Sequence, residues 1–125
     1  MEKFIVSYDE ENDVLFLKVL GAMDDETLRE LLPRYQKLLE GKPRRYVLVD
    51  MSESAQFDTS IMTKEMRDTY KVMINQMEAE KSAIFGITPA LRMVAKIALA
   101  VTSKSDITRF FKTKEEALAW LKGEK

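Results

Sequence analysis

The chain contains neither cysteine nor histidine. The first absence removes any disulfide framework, thiol nucleophile, iron–sulfur cluster or thiolate zinc site. The second removes Ser-His-Asp catalysis and imidazole metal sites. Carboxylate and lysine mechanisms survive, but no pair of carboxylates stands at a defined catalytic spacing. Neither enzymatic activity nor a metal or cofactor is therefore expected. Glycine and proline are sparse, at four and three residues. There is no repeat and no low-complexity segment. There is also no glycine-rich phosphate loop: Gly86-Ile87-Thr88-Pro89 carries one glycine and reads as a strand-to-helix turn. No apolar run reaches the roughly 18 residues of a membrane span, and the amino terminus has no secretory h-region. With eight methionines and no cysteine, a cytoplasmic protein that is not integral to a membrane is expected. Excess positive charge is missing too. Twenty Lys and Arg meet 21 Asp and Glu, for a net charge of −1. That balance argues against nucleic acid as a partner, since non-specific affinity for it comes from surplus basic charge. It leaves room for a local basic patch.

What is present suffices for a core. The chain has 125 residues, 46% of them apolar, which suits one domain spanning 1–125. Lys3–Tyr8 alternates, with Phe4, Val6 and Tyr8 on one side. Val14–Leu20 is nearly all apolar, as in a strand covered on both faces. Asp9–Asp13 between them is polar, so the two strands should run antiparallel. Tyr46–Asp50, Ser82–Ile87 and Ile107–Phe111 are three further short apolar runs, each next to a helical pattern. The expected fold class is α/β, a mixed and mostly parallel five-stranded sheet with about four helices.

The first helix should begin near Asp24 or Asp25. It places Leu28, Leu31, Leu32, Tyr35, Leu38 and Leu39 on one face and ends at Gly41. Pro33 within it predicts a kink, or a short helix followed by a second one. The next helix should run from about Thr59 to Ala79, with Met62, Met66, Tyr70, Met73 and Met77 as its buried stripe. A third should open with Thr88 as cap and Pro89 in its first turn. Ten of the twelve residues Ala90–Val101 are apolar, whereas packing on a sheet hides only about half of a helix. An outer patch drawn from Met93, Ile97, Ala100 and Val101 is therefore expected to stay partly uncovered. A homodimer contact, a small hydrophobic ligand or lipid, and a protein partner all suit such a patch. The last helix should open with the capping box Thr113-Lys-Glu-Glu116 and bury Ala117, Leu118 and Leu121, with Trp120 at the edge.

In a parallel sheet, ligands gather at the carboxyl ends of strands. Here those ends carry Asp50, the stretch Ser52–Ser60 and Thr88. Asp58-Thr59-Ser60 consists of helix-capping residue types. A phosphate on a hydroxyl there would meet free backbone donors and the positive end of a helix dipole. Asp50 as a nucleophile of the haloacid-dehalogenase kind would need an aspartate two residues on, where the chain has Ser52. Asp50 as a receiver-type phospho-acceptor would need acidic residues at the first strand end, and Tyr8-Asp9-Glu10 does not follow that alternation. Lys42, Arg44 and Arg45 form a basic cluster that reads as a solvated loop.

The order of elements and several segments resemble the STAS domains of anti-sigma-factor antagonists. Leu20-Gly21-Ala22-Met23-Asp24-Asp25 is similar to their turn after the second strand. Arg45-Tyr46-Val47-Leu48-Val49-Asp50 followed by Phe57-Asp58-Thr59-Ser60 is similar to their strand and phosphorylated loop. Ala83-Ile84-Phe85-Gly86-Ile87-Thr88-Pro89-Ala90 is similar to the opening of their third helix, and Ile107 to Leu121 to their closing strand and helix. Leu31-Leu32-Pro33 and Glu116-Ala117-Leu118-Ala119-Trp120-Leu121 resemble the SpoIIAA-like subgroup of STAS/Sec14 type. The resemblance spans essentially the whole chain. It implies a non-enzymatic regulatory module that binds a protein partner, with Thr59 as the phospho-acceptor, Ser60 beside it, and Asp50, Asp58 and Thr88 on the partner-binding loops. Ile61 and Met62 stand where the antagonists have glycine and leucine. The Sec14 relation implies a hydrophobic small ligand or lipid as the other candidate.

Overall fold

A computed structural model describes residues 3–21, 25–53, 68, 71–72, 75–76, 78–102 and 105–123. Its elements are β1 (Phe4–Asp9), β2 (Val14–Val19), α1 (Asp25–Leu39), β3 (Tyr46–Asp50), β4 (Lys81–Phe85), α2 (Pro89–Thr102), a 3-10 turn at Ser105–Ile107, β5 (Thr108–Phe111) and α3 (Lys114–Leu121). The five strands form one sheet in the order β1-β2-β3-β4-β5. β1 runs antiparallel to β2 and the other pairs are parallel.

The polar hairpin between β1 and β2 is closed by Asp9. Its Oδ1 accepts from the backbone amides of Glu11 at 3.1 Å and Asn12 at 3.2 Å. Its Oδ2 accepts from Asn12 Nδ2 at 2.7 Å. The Asn12 side chain foremost, with the two amides behind it, holds the Asp9 carboxyl below its ordinary range, against the opposing effect of burial. Asp13 then takes the left-handed backbone, at φ 55, that returns the chain into β2.

From β2 onwards the strands step across the sheet in one direction. Right-handed crossovers taken repeatedly in one direction put all their connections on the same face. The burial pattern agrees. On that face Leu15, Leu17, Val19, Val47 and Phe4 pack with Leu31, Tyr35 and Leu39 of α1 and Leu91 of α2. The opposite face is left to α3, whose Ala117 and Leu121 pack on Val14, Leu48, Ala83 and Phe85. Eight residues make a helix only about 12 Å long. It reaches β3, β4 and β5, and Ile5 on β1 stays 45% exposed. β2 is thus covered completely on one face and partly on the other, with Phe16 and Lys18 half-buried.

α1 is one unbroken helix with Pro33 inside it, which overturns the alternative of two short helices. Pro33 is exposed, on the side away from the core. Leu28, Leu31, Tyr35 and Leu39 are buried, at roughly 1.5–3 kcal/mol each. That outweighs the cost of about 3 kcal/mol for an internal proline. The helix expected over Thr59–Ala79 falls largely outside the described residues, with Met62, Met66, Tyr70, Met73 and Met77 among those not described. Asp68, Lys71, Val72, Asn75 and Gln76 are helical, while Glu78, at φ 48, and Ala79 are not. α3 opens as expected on Thr113, whose Oγ1 accepts from Glu116 N at 3.2 Å. The reciprocal half of the capping box differs: the Glu116 carboxylate accepts from the Thr113 hydroxyl, also at 3.2 Å.

Candidate functional site

The carboxyl ends of β2, β3 and β4 form a small polar edge. Asp50 is the last residue of β3, buried, with Lys18 and Phe85 as its cross-strand neighbours. Its Oδ1 accepts from Ser52 N at 2.8 Å, so the carboxylate shapes the turn by which the chain leaves the sheet. Met51 N donates to Phe85 O at 2.9 Å and extends the β3–β4 pairing by one bond. Gly86 then lies against that turn. It has φ +75, and a Cβ there would stand 3.0 Å from both Cα and N of Ser52. Glycine is required on both counts. Lys18 Nζ faces Glu53 Oε1 at 3.9 Å on the rim of the same edge.

Thr88 follows two residues after Gly86. Its Oγ1 accepts from Leu91 N at 3.4 Å, and its carbonyl accepts from Arg92 N at 2.9 Å. Thr88 is thus the cap of α2, with Pro89 in the first turn. Asp50, Ser52, Gly86 and Thr88 meet at one edge and frame the point where the loop after β3 departs. Asp58, Thr59 and Ser60 fall outside the described residues. Lys18, Glu53 and the close approach of Gly86 to Ser52 were not singled out from the sequence. The Lys18–Asp50 register depends on strand pairing, which no local pattern carries.

On α2, Met93 is 69% and Ile97 54% exposed, and Ala100 is exposed beside them. Leu91 and Leu99 of the same helix are buried. Val101 belongs to the helix, but its side chain lies outside the description.

The basic cluster differs from the solvated loop expected of it. Lys42 Nζ is 3.1 Å from Glu10 Oε1 and lies over the Tyr8 ring at 4.2 Å. Arg45 Nε donates to Glu78 O at 3.0 Å, and its Nη2 donates to Gln36 Oε1 at 3.1 Å. Gln36 Nε2 in turn donates to Gln76 O at 3.1 Å. Arg45 and Gln36 thereby cap carbonyls around the end of the helical segment that includes Asn75 and Gln76. Among the described residues no group of three or more carboxylates could hold a metal ion, and no helix is long and apolar enough to cross a membrane.

Sheet order, the antiparallel first strand and a polar edge at the carboxyl ends of the strands define an α/β domain of STAS type. The SpoIIAA-like family model matches residues 14–122, and the chain belongs to that family. Solved structures agree on the fold. An uncharacterised protein from Shewanella loihica with a SpoIIAA-like fold is 20% identical, over 94% of this chain and 91% of that one, with a TM-score of 0.61. An anti-sigma-factor antagonist (STAS) domain protein from Planctomyces limnophilus is 17% identical, over 97% and 98%, with a TM-score of 0.56. The anti-sigma factor antagonist SpoIIAA in its unphosphorylated form is 11% identical, over 96% of each chain, with a TM-score of 0.57. No curated protein matches the chain in sequence.

Proposed function

We propose that this protein is a non-enzymatic, cytoplasmic regulatory module that binds a protein partner through the carboxyl edge of its sheet, and that phosphorylation at Thr59, with Ser60 as the neighbouring acceptor, switches the contact. The observation that carries the reading is the Asp50–Ser52–Gly86 turn. It sets where the chain leaves the sheet ahead of Phe57-Asp58-Thr59-Ser60, the stretch that resembles the phosphorylated loop of STAS-type antagonists, and one of the matched structures is an antagonist described as unphosphorylated. A phosphate adds about −1.5 to −2 charge, enough to repel an acidic partner surface or recruit an arginine. Asp50 spends an oxygen on its own turn, and Ser52 stands where a paired carboxylate would be needed. Both weigh against nucleophilic chemistry.

The test is native mass spectrometry of protein purified from its own cells, followed by comparison with Thr59→Ala. Added phosphate on the wild type that is absent from the variant, with altered partner binding, is expected. Phosphate only elsewhere, with Thr59→Ala behaving as wild type, would sink the reading. A second reading, a carrier or sensor of a small hydrophobic ligand or lipid, is supported by the exposure of Met93 and Ile97. The same spectra would reveal it as bound lipid mass.

A further inference from the structure

Away from the carboxyl edge, the amino-terminal halves of β3, β4 and β5 meet the end of α3 on one face of the sheet. Cations and aromatic rings alternate there. Arg44 Cζ lies 4.6 Å from the centre of the Tyr46 ring. Lys81, the cross-strand neighbour of Tyr46, places Nζ 5.4 Å from that ring and 5.1 Å from the ring of Trp120. Arg109 Cζ stands 5.5 Å from Trp120, whose ring is 5.8 Å from that of Phe111. Arg44, Tyr46, Lys81, Trp120 and Arg109 thus form a continuous ladder across three strands and a helix. Among the described residues Lys18, Lys42 and Lys71 make ion pairs, whereas Arg44, Lys81 and Arg109 are found in none.

We propose that this ladder docks an extended, carboxylate-rich segment of a partner protein. It goes beyond the function proposed above, because it uses the other end of the strands and needs no phosphate. Three cations that form no ion pair with any described residue, on a chain of net charge −1, concentrate positive potential at one place, and the complement is an anion. The cations stand on the neighbouring strands β4 and β5 and just before β3, and so are spread across the sheet, whereas a single phosphate calls for cations converging on one point. An extended chain, at about 3.3 Å per residue, can run across such a spread and meet the cations one after another. A guanidinium resting over a ring is already restrained there, so less freedom is lost on binding.

Two other partners fit less well. Bases of a single-stranded nucleic acid need open aromatic faces on which to stack, and here the ladder's own cations lie over Tyr46 and Trp120. A membrane surface needs exposed apolar side chains to insert. Among the described residues the large exposed ones are Ile5, Val72, Met93 and Ile97, none of them in the ladder.

Trp120 is the single tryptophan of the chain, so its fluorescence reports directly on the ladder. The full chain would be titrated with a poly-glutamate peptide of about ten residues. A saturable change in Trp120 emission is expected. Arg109→Glu, at an exposed position, should weaken binding about tenfold. Lys37→Glu, at an exposed position on α1, should leave binding within about twofold and so controls for net charge. Should circular dichroism show Arg109→Glu to be unfolded, Arg44→Gln takes its place. The proposal is overturned by an emission that does not change, by equal weakening in the Lys37 and ladder variants, or by tighter binding of oligothymidylate or of phosphatidylserine vesicles than of the peptide.

Discussion

Tyr35 and Tyr8 carry buried hydroxyls with no hydrogen-bond partner among the described residues, and Tyr35 is the more deeply buried. Its side chain is wholly buried among Phe4, Leu15, Leu17 and Val47, and no hydrogen-bond partner for its hydroxyl is found among the described residues. Burial pushes the phenol up to about 12, while the nearby Arg45 guanidinium pulls the other way. The folded state therefore favours the neutral phenol. The contribution is fully present below the unfolded value near 10 and is lost as pH rises through about 12. Tyr35→Phe deletes the buried hydroxyl. It is expected to be neutral or stabilising by up to about 1 kcal/mol at pH 7. Its advantage over wild type should grow at pH 11. Urea unfolding at the two pH values checks this, and an advantage that does not change with pH would contradict it. Tyr8, whose phenol is also raised chiefly by burial, is retained in both proteins and cancels from the comparison.

Helices α1 and α2 show how an element's surroundings decide the meaning of its residues. In α1 the buried stripe outweighs a proline, because Pro33 occupies the exposed side where the helix can adjust without disturbing the core. In α2, Leu91 and Leu99 are the buried anchors while Met93 and Ile97 project outward. Ile97→Glu should leave the unfolding free energy almost unchanged, within about 0.5 kcal/mol, as for other surface positions. If a second copy covers the patch, the same substitution should lower the sedimenting mass at high concentration. A strict monomer that binds no apolar dye and is unfolded by Ile97→Glu would make Ile97 an ordinary core residue and remove the patch from consideration.

At the scale of the whole molecule, parallel strands that step in one direction leave no reversal in strand order. It is at such reversals that adjacent crossovers part on opposite faces and open a ligand crevice. The described strands offer an edge in its place, with Asp50 committed to a turn. We expect no turnover in hydrolase and phosphatase screens, and Asp50→Ala should act on stability. Removing the acceptor of Ser52 N is expected to cost about 1–2 kcal/mol, read by denaturant unfolding. A turnover abolished by Asp50→Asn would reverse this conclusion.

Much of this architecture is determined locally, and so was legible in the sequence. Alternation in β1, the polar hairpin at Asp9–Asp13, the apolar run of β3, the Thr88-Pro89 and Thr113 helix starts and the α1 stripe are short-range patterns whose backbone preferences need no distant partner. The STAS-type order of elements followed from them. The candidate loop Asp58-Thr59-Ser60 was read from residue type and resemblance alone, and only its departure point, Asp50 to Gly86, is placed by the fold. What tertiary structure decided are the relations between segments far apart in sequence. Strand register set Lys18 beside Asp50 and Tyr46 beside Lys81. Chain crossing brought Gly86 against Ser52, Lys42 to Glu10 and Tyr8, and Arg45 to Glu78 and Gln36. The shortness of α3 left Ile5 uncovered and set Trp120 between Lys81 and Arg109. Period and propensity act over a few residues, whereas such contacts are chosen by the packing of whole faces, and that packing assembled the cationic ladder from four separate stretches of chain.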